Sequence, residues 1–420
     1  MQVDIMKKRN LYGQFALNVG IGAYWSVENF WINMYWSREI NPELSYISAM
    51  VSISAIVGVL SMIIFGALSD SSTSKRGRRN VYIFWGGILG GISMFLFPFT
   101  KLVNIYFGLS TAIIYAVVID ILITLFGDWT TPTRLALFTE HSDLHERGKL
   151  NAVIGLVGGV GTALIMGMYI LDYWDNATFF YVGGSMMIFG SILSTKLFKD
   201  PPIPDNPDSF KECLKKITQR DAYKENKGFY SLLFGLVVLF LGINFYSNYI
   251  TVYAENVLLF SPAEVGVITV VSTIVGFALT VPASILSDKY GRKKPVLISL
   301  CLYLITIICF TLLSESSFWI YTILFSFMSA FSAIVDLIVT TWTQDLTPPK
   351  MKGSLLAYLH ASKVIPMTPG SILGAQIGDK IAPQGVQYSN LMFLFGGIVA
   401  FLSIFVFKQV KDTIRIDNSR

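Results

Sequence analysis

Charge is what this 420-residue chain has least of: 14% of its residues are charged, against 53% hydrophobic. A soluble domain carries nearer a quarter charged residues, so a water-facing globule is excluded over most of the length. Cysteine is scarce too, and Cys213, Cys301 and Cys309 suggest no disulfide framework. There is no glycine-rich phosphate-binding loop, which speaks against ATP-driven work. Nor is there a metal cluster or a nucleophile–base set, so no enzymatic reaction, cofactor or metal is expected. Long soluble insertions are also missing. The one substantial polar stretch, 198–227, holds seven basic and six acidic residues and is too short for a catalytic domain.

What remains is apolar sequence in runs long enough to cross a bilayer. Twelve such spans fall at about 11–37, 44–69, 80–99, 105–138, 149–171, 177–197, 228–253, 262–286, 295–313, 317–343, 354–377 and 391–408. The expected fold is all-α, a membrane protein of twelve transmembrane helices in two six-helix pseudo-repeats. The halves are 1–197 and 228–420, joined by a cytoplasmic linker over 198–227 with a surface helix near 210–220. Ser261-Pro262-Ala263-Glu264 reads as a capped helix start. With the N-terminus cytoplasmic, 27 of the 32 Lys and Arg lie inside and Arg38, Lys101 and Lys380 lie outside. That bias places both termini in the cytoplasm of a multi-pass cell-membrane protein. It also accounts for the net charge of +5 without a nucleic-acid partner.

One stretch is spelled twice. Ser54, Ile56-Val57-Gly58 and Leu68-Ser69-Asp70 return at identical spacing as Ser272, Ile274-Val275-Gly276 and Leu286-Ser287-Asp288. Each copy runs into a basic glycine loop, Lys75-Arg76-Gly77-Arg78-Arg79 in the first and Gly291-Arg292-Lys293-Lys294 in the second. Two parallel halves in a membrane place a binding site where they meet, which points to a transporter. A carboxylate at an inner helix end, with arginines a few residues on, can pair with them or approach a neighbouring helix N-terminus. Asp70, Gly77, Arg78 and Arg79, with Asp288, Gly291 and Arg292, therefore form a candidate inner gate. For the cluster Arg76, Arg78 and Arg79, a role in topology alone stays open.

The second copy resembles the loop signature of the major facilitator superfamily, with Ser284 in place of the usual leading glycine. The first copy, with Gly77 seven residues after Asp70, is similar to the extended form in plant-type sucrose/proton symporters and glycoside–cation symporters. Thr131-Pro132-Thr133-Arg134-Leu135-Ala136-Leu137 also resembles the sucrose-symporter pattern. The resemblance implies a secondary transporter working by alternating access. Gly58 and Met62 stand where melibiose-type members carry paired sodium-binding aspartates, which argues against that sodium site. The fifth span lacks the proline of drug/proton antiporters, which lowers an exporter reading without removing it.

Ionisable groups at membrane depth are costly and become functional candidates by default. Glu28 lies about 17 residues into the first span, roughly 25 Å along an α-helix, and is the favoured proton-coupling site, with Asp120 second. Asp128 is expected to pair with Arg134. Lys363 is expected to serve as countercharge to Asp336 or to a fourth-span aspartate, or else to bind an anionic solute. Asn29-Phe30-Trp31-Ile32-Asn33 has an echo in Asn244-Phe245-Tyr246-Ser247-Asn248. Asparagines four apart share a helix face, and amides beside aromatic rings suit a sugar's hydroxyls and C–H surface. Trp25, Asn29, Asn33, Asn244, Asn248 and Lys363 are thus candidate substrate residues. Trp31 and Tyr246 fit either that site or an interfacial aromatic belt.

The reading is proton-coupled uptake of a sugar or glycoside, with an organic-anion transporter and a small-molecule exporter as alternatives. The expected partners are a small-molecule substrate, protons and the lipid bilayer, with the chain acting as a monomer.

Overall fold

The computed structural model describes residues 2–41, 44–142, 146–171, 175–200, 209–213, 226–247, 250, 253–254, 258–312, 317–347, 352–381 and 391–413. Among them there is no strand. Linker residues 201–208 and 214–225 lie outside the described set, so of the expected surface helix only 210–213 is seen, as helix. Two compact units emerge. Unit 1 comprises 1–142, 154–219 and 348–361; unit 2 comprises 143–153, 220–347 and 362–420.

Unit 1 is built on α1 (Gln2–Ser26), α2 (Ile32–Glu39), α3 (Leu44–Ser71), α4 (Asn80–Leu96), α5 (Thr100–Phe107) and α6 (Leu109–His141). It also takes most of α7 (Arg147–Leu171) and all of α8 (Thr178–Leu197). Unit 2 holds α9 (Lys227–Ile243), α10 (Pro262–Tyr290), α11 (Lys293–Thr311) and α12 (Phe318–Asp345). It ends with α14 (Met367–Ile381), α15 (Leu391–Phe401) and α16 (Ser403–Gln409), while α13 (Lys352–Val364) is divided between the units. The first turns of α7, which belong to the first half of the sequence, are thus part of unit 2.

Nine helices among the described residues are long and apolar enough to cross a membrane. The first, seventh and eleventh expected spans are not among the nine, and each is interrupted. A π turn, Val27–Trp31, separates α1 from α2. The seventh span stops as α9 at Ile243 and enters turns at 244–246. The eleventh breaks between α13 and α14 at Ile365-Pro366, where proline disfavours helical backbone in the residue before it. Elsewhere the local signals act as written. Ser261 Oγ accepts from Glu264 N at 3.3 Å and Glu264 Oε2 accepts from Ser261 N at 2.8 Å, the reciprocal capping pair that starts α10.

Helices approach each other over glycine. A Cβ on Gly22 of α1 would collide with the carbonyl of Gly158 on α7, and one on Gly161 with that of Val19. Small residues let backbones close to this range in a membrane, where dispersion and packing replace the hydrophobic drive between helices. Gly22→Val is therefore expected to cost about 2 kcal/mol or more through overpacking. The check is fluorescence-detected size-exclusion chromatography after heating, in which the variant's monodisperse peak should vanish well below the parent's temperature.

Candidate functional site

In unit 1 the site grows from the contact of α1 with α6. Tyr24 Oη donates to the Ile123 carbonyl at 2.7 Å, and Gly127 leaves room for the Tyr24 and Trp25 rings. Glu28 follows Tyr24 by four residues, on the π turn, and Asp120 precedes Ile123 by three. Glu28 is half-buried while Asp120 and Asp128 are buried, and Glu28 lies within electrostatic reach of both aspartates. Asp120 accepts a hydrogen bond from Ser54 on α3. Glu28 and Asp128 make no hydrogen bond or ion pair with a described residue. Asp128 occupies the space over Gly58, where a Cβ would lie 2.5 Å from its Oδ2. The glycine that departs from the melibiose-type pattern is what makes room for this carboxylate.

Asp128 and Arg134 do not pair. Six residues on, at ~100° each, put them about 120° apart around α6, and Arg134 Nη1 instead donates to Asn18 Oδ1 at 2.6 Å. The asparagines divide as well. Asn29 is exposed and donates to Trp25 O at 2.7 Å; Asn244 is buried and donates to Phe240 O at 2.8 Å. These equivalent residues make the same bond, each where its helix departs from regular α geometry. Asn33 is half-buried, with its Oδ1 buried and without a partner. The widened π turn removes the single-face relation of Asn29 and Asn33 that a regular helix would give. Asn248 lies outside the described residues.

Packing accounts for both aromatic rings left open by the sequence. Trp31 is 4% exposed, stacks on Phe179 at 3.8 Å between centroids and donates from Nε1 to Asn176 O at 2.8 Å. Tyr246 is buried, shares a 2.6 Å hydroxyl bond with Tyr303 and lies against Phe393. Neither ring has a face left for a solute. Trp25, by contrast, is half-buried and meets Tyr24 edge-on.

In unit 2, Lys363 Nζ lies 2.5 Å from Asp336 Oδ1 and donates to Thr340 Oγ1 at 2.9 Å, with the Phe240 ring 5.8 Å away. Asp336 and Thr340 are one turn apart on α12, so both present to Lys363 near the end of α13.

The two basic loops build the same object twice. In unit 1, Arg79 reaches Asp70 at 2.8 Å, Ser69 at 2.7 Å and Glu140 at 3.0 Å, and Arg78 meets Glu140 at 2.8 Å. In unit 2, Arg292 pairs with Asp288, reaches Ser287 at 2.9 Å and meets Asp345 at 3.1 Å; Arg147 meets Asp345 at 2.8 Å. Each loop's backbone is gripped by a carboxylate from beyond the last helix of its half. Asp200 Oδ2 accepts from Arg79 N at 2.9 Å and Asn80 N at 3.2 Å. Asp412 accepts from Arg292 N and Lys293 N at 3.0 Å each. Gly77 (φ +106°) and Gly291 (φ +93°) take left-handed backbone beside those carboxylates, which a Cβ would strike. Burial lifts the Asp200 carboxyl above its ordinary value, and the two N–H donors hold it down in part.

Asp288 also accepts from Gly148 N at 3.2 Å and Lys149 N at 2.7 Å, capping the first turn of α7. Asn151, one turn on, donates to Thr341 Oγ1 at 2.9 Å and Gln344 Oε1 at 2.8 Å. Glu140, Arg147, Asp200, Asp345 and Asp412 were missed from the sequence. A signal existed for two of them: Lys-Asp at 199–200 recurs at 411–412, once after each half.

A family model described as Major Facilitator Superfamily matches residues 16–261 and 232–418. A bacterial homologue of the iron transporter ferroportin, in its outward-facing state, is similar in structure, with a TM-score of 0.72 and 14% identity. That match covers 96% of this chain and 98% of the other. The proton:xylose symporter XylE, bound to 6-bromo-6-deoxy-D-glucose, superposes at 0.70 and 16% identity, covering 98% of this chain and 96% of that one. No curated protein matches.

Two outcomes are expected from these geometries. Asp200→Ala and Asp412→Ala each strand two buried N–H donors, at about 1–3 kcal/mol, so both lower the thermal midpoint, and Asp200→Asn does so less. Lys363→Ala destabilises by about 1–2 kcal/mol, as the loss of a partly buried pair. Adding Asp336→Ala to it restores most of the midpoint in the same melting assay.

Proposed function

The chain belongs to the major facilitator superfamily of membrane transporters, and from that premise we propose that it takes up a sugar or glycoside together with a proton by alternating access. The observation that carries the reading is Glu28. It is a carboxylate on a π turn, with no hydrogen-bond or ion-pair partner among the described residues and two buried aspartates within electrostatic reach. Three carboxylates so placed repel one another when ionised, and a proton on Glu28 relieves that repulsion. Asp120, held by Ser54, is the second proton site.

Trp25, Asn29 and Asn33 surround Glu28 in sequence and supply an aromatic face and amides, the groups a sugar's C–H surface and hydroxyls need. A structurally similar protein, XylE, is a proton:xylose symporter, which agrees with this reading at the level of fold. The anion alternative has less support, because Lys363 is already engaged by Asp336 and Thr340. In this scheme, transport releases Asp288 from the α7 N-terminus while Arg292 keeps its charge paired.

External pH is recorded while mono- and disaccharides are added to energy-starved cells expressing the protein. One sugar is expected to alkalinise the medium, and Glu28→Gln to abolish the signal while leaving the protein in the membrane. Alkalinisation that survives in Glu28→Gln but not in Asp120→Asn would move the proton to Asp120. Silence across the panel, with correct membrane insertion, would defeat the sugar reading.

A further inference from the structure

Unit 1 carries a groove on the outside of α1 and α8, about 580 Å³ in volume. Its floor is made where the two helices nearly touch, at Ala16, Gly20 and Gly190; a Cβ on Gly190 would lie 2.7 Å from the Ala16 carbonyl. Its walls include Tyr181, Phe189 and Leu193, which are 42%, 71% and 51% exposed. From Tyr181 to Leu193 the groove runs about 18 Å at ~1.5 Å per residue. One leaflet of the ~30 Å hydrocarbon core is about 15 Å deep, so an acyl chain entering from the Lys196 end covers the groove to about Ser185, and the rest of the groove lies past the midplane.

The floor and walls are apolar, but one end is not. Lys196 follows Leu193 by three residues and so continues the groove's face of α8. Arg9 is brought to the same place by a bond from its Nη2 to the Lys196 carbonyl, 3.1 Å long. Both side chains are exposed, and neither has a carboxylate partner among the described residues. Proton coupling and the loop networks use neither of them. A trough deep enough for one acyl chain, ending in two cations without a carboxylate partner among the described residues, has the charge and shape of a phospholipid's acyl chain and phosphate.

We propose that this groove is a binding site for an anionic phospholipid, with an acyl chain along Ala16, Gly20 and Gly190 and the headgroup phosphate between Arg9 and Lys196. Zwitterionic lipids present the same phosphate, but their ammonium group offsets its attraction to the two cations, so they exchange faster. Two cations near a membrane surface account for roughly a tenfold to thirtyfold preference.

The test is native mass spectrometry of the purified full chain, titrated with phosphatidylglycerol or phosphatidylcholine. Phosphatidylglycerol is expected to give a discrete one-to-one adduct at roughly tenfold lower concentration than phosphatidylcholine. Arg9→Gln/Lys196→Gln should bring the two lipids level, and Ser185→Phe, which fills the trough from α8, should weaken both. The charge variants lie on the surface and leave the contact at Ala16, Gly20 and Gly190 intact, losing only the Arg9 bond to Lys196 O; a melting curve matching the parent's confirms that they are folded. Equal binding of the two lipids by the parent would overturn the proposal, as would a preference that survives loss of both cations. A second copy of the chain in place of lipid, displaced by Ser185→Phe, would overturn it too.

Discussion

A guanidinium taken out of water keeps its charge, and the loop end of each unit is organised around one. Arg79 and Arg292 are both 0% exposed. Burying such an ion unpaired costs several kcal/mol, so each meets two carboxylates and a hydroxyl. In unit 1 the acceptors come from the end of α3 and from α6; in unit 2 they come from α10 and α12. The arginine thereby fixes the distance between helix ends that the hydrocarbon core alone would leave free. Lysine could not replace it, because a compact ammonium lacks the planar fork that reaches two carboxylates and a hydroxyl together.

The carboxylates around these arginines are shared in a way that suits a changing structure. Asp288 serves Arg292 and the α7 backbone at once, and Asp345 serves Arg292 and Arg147. Because each carboxylate has two calls on its oxygens, one donor can leave without stranding the charge. Asp200 and Asp412 differ. They hold backbone N–H groups of the loops, and the left-handed glycines keep the loops within reach. These two carboxylates fix the loop geometry, while the shared ones join helix ends.

Much of this was legible from residues alone. The repeated Leu-Ser-Asp and the basic glycine loops marked two ion-pair networks, with Asp70 on Arg79 in unit 1 and Asp288 on Arg292 in unit 2. Lys363 and Asp336 pair, one of the readings the sequence left open. The gate's other acids were hidden because Glu140 and Asp345 lie far along the chain from the loops they serve, at helix ends where charge is unremarkable. The Asp128–Arg134 pairing failed on geometry that spacing could have revealed, since six residues do not return to one face of a helix. The rings of Trp31 and Tyr246 could not be assigned from composition. Which way a ring turns depends on neighbours such as Phe179 and Tyr303, distant in sequence and brought close by the packing of whole helices.

The breaks in the helices have the same origin as the polar residues beside them. A regular helix satisfies its backbone internally, and irregular backbone at membrane depth survives only where protein or water meets the freed groups. Three of the interrupted spans carry Glu28, Asn29 and Asn33, Asn244 and Ser247, or His360 and Lys363. At two of the breaks the asparagine amide itself supplements the ladder, through Trp25 O and Phe240 O. The π turn adds a further consequence. It holds one residue more than an α turn, so moving that extra residue along the chain turns the intervening side chains by ~100°. Glu28 thus sits on the irregular part of its helix, while Tyr24, one turn away, is bonded to α6.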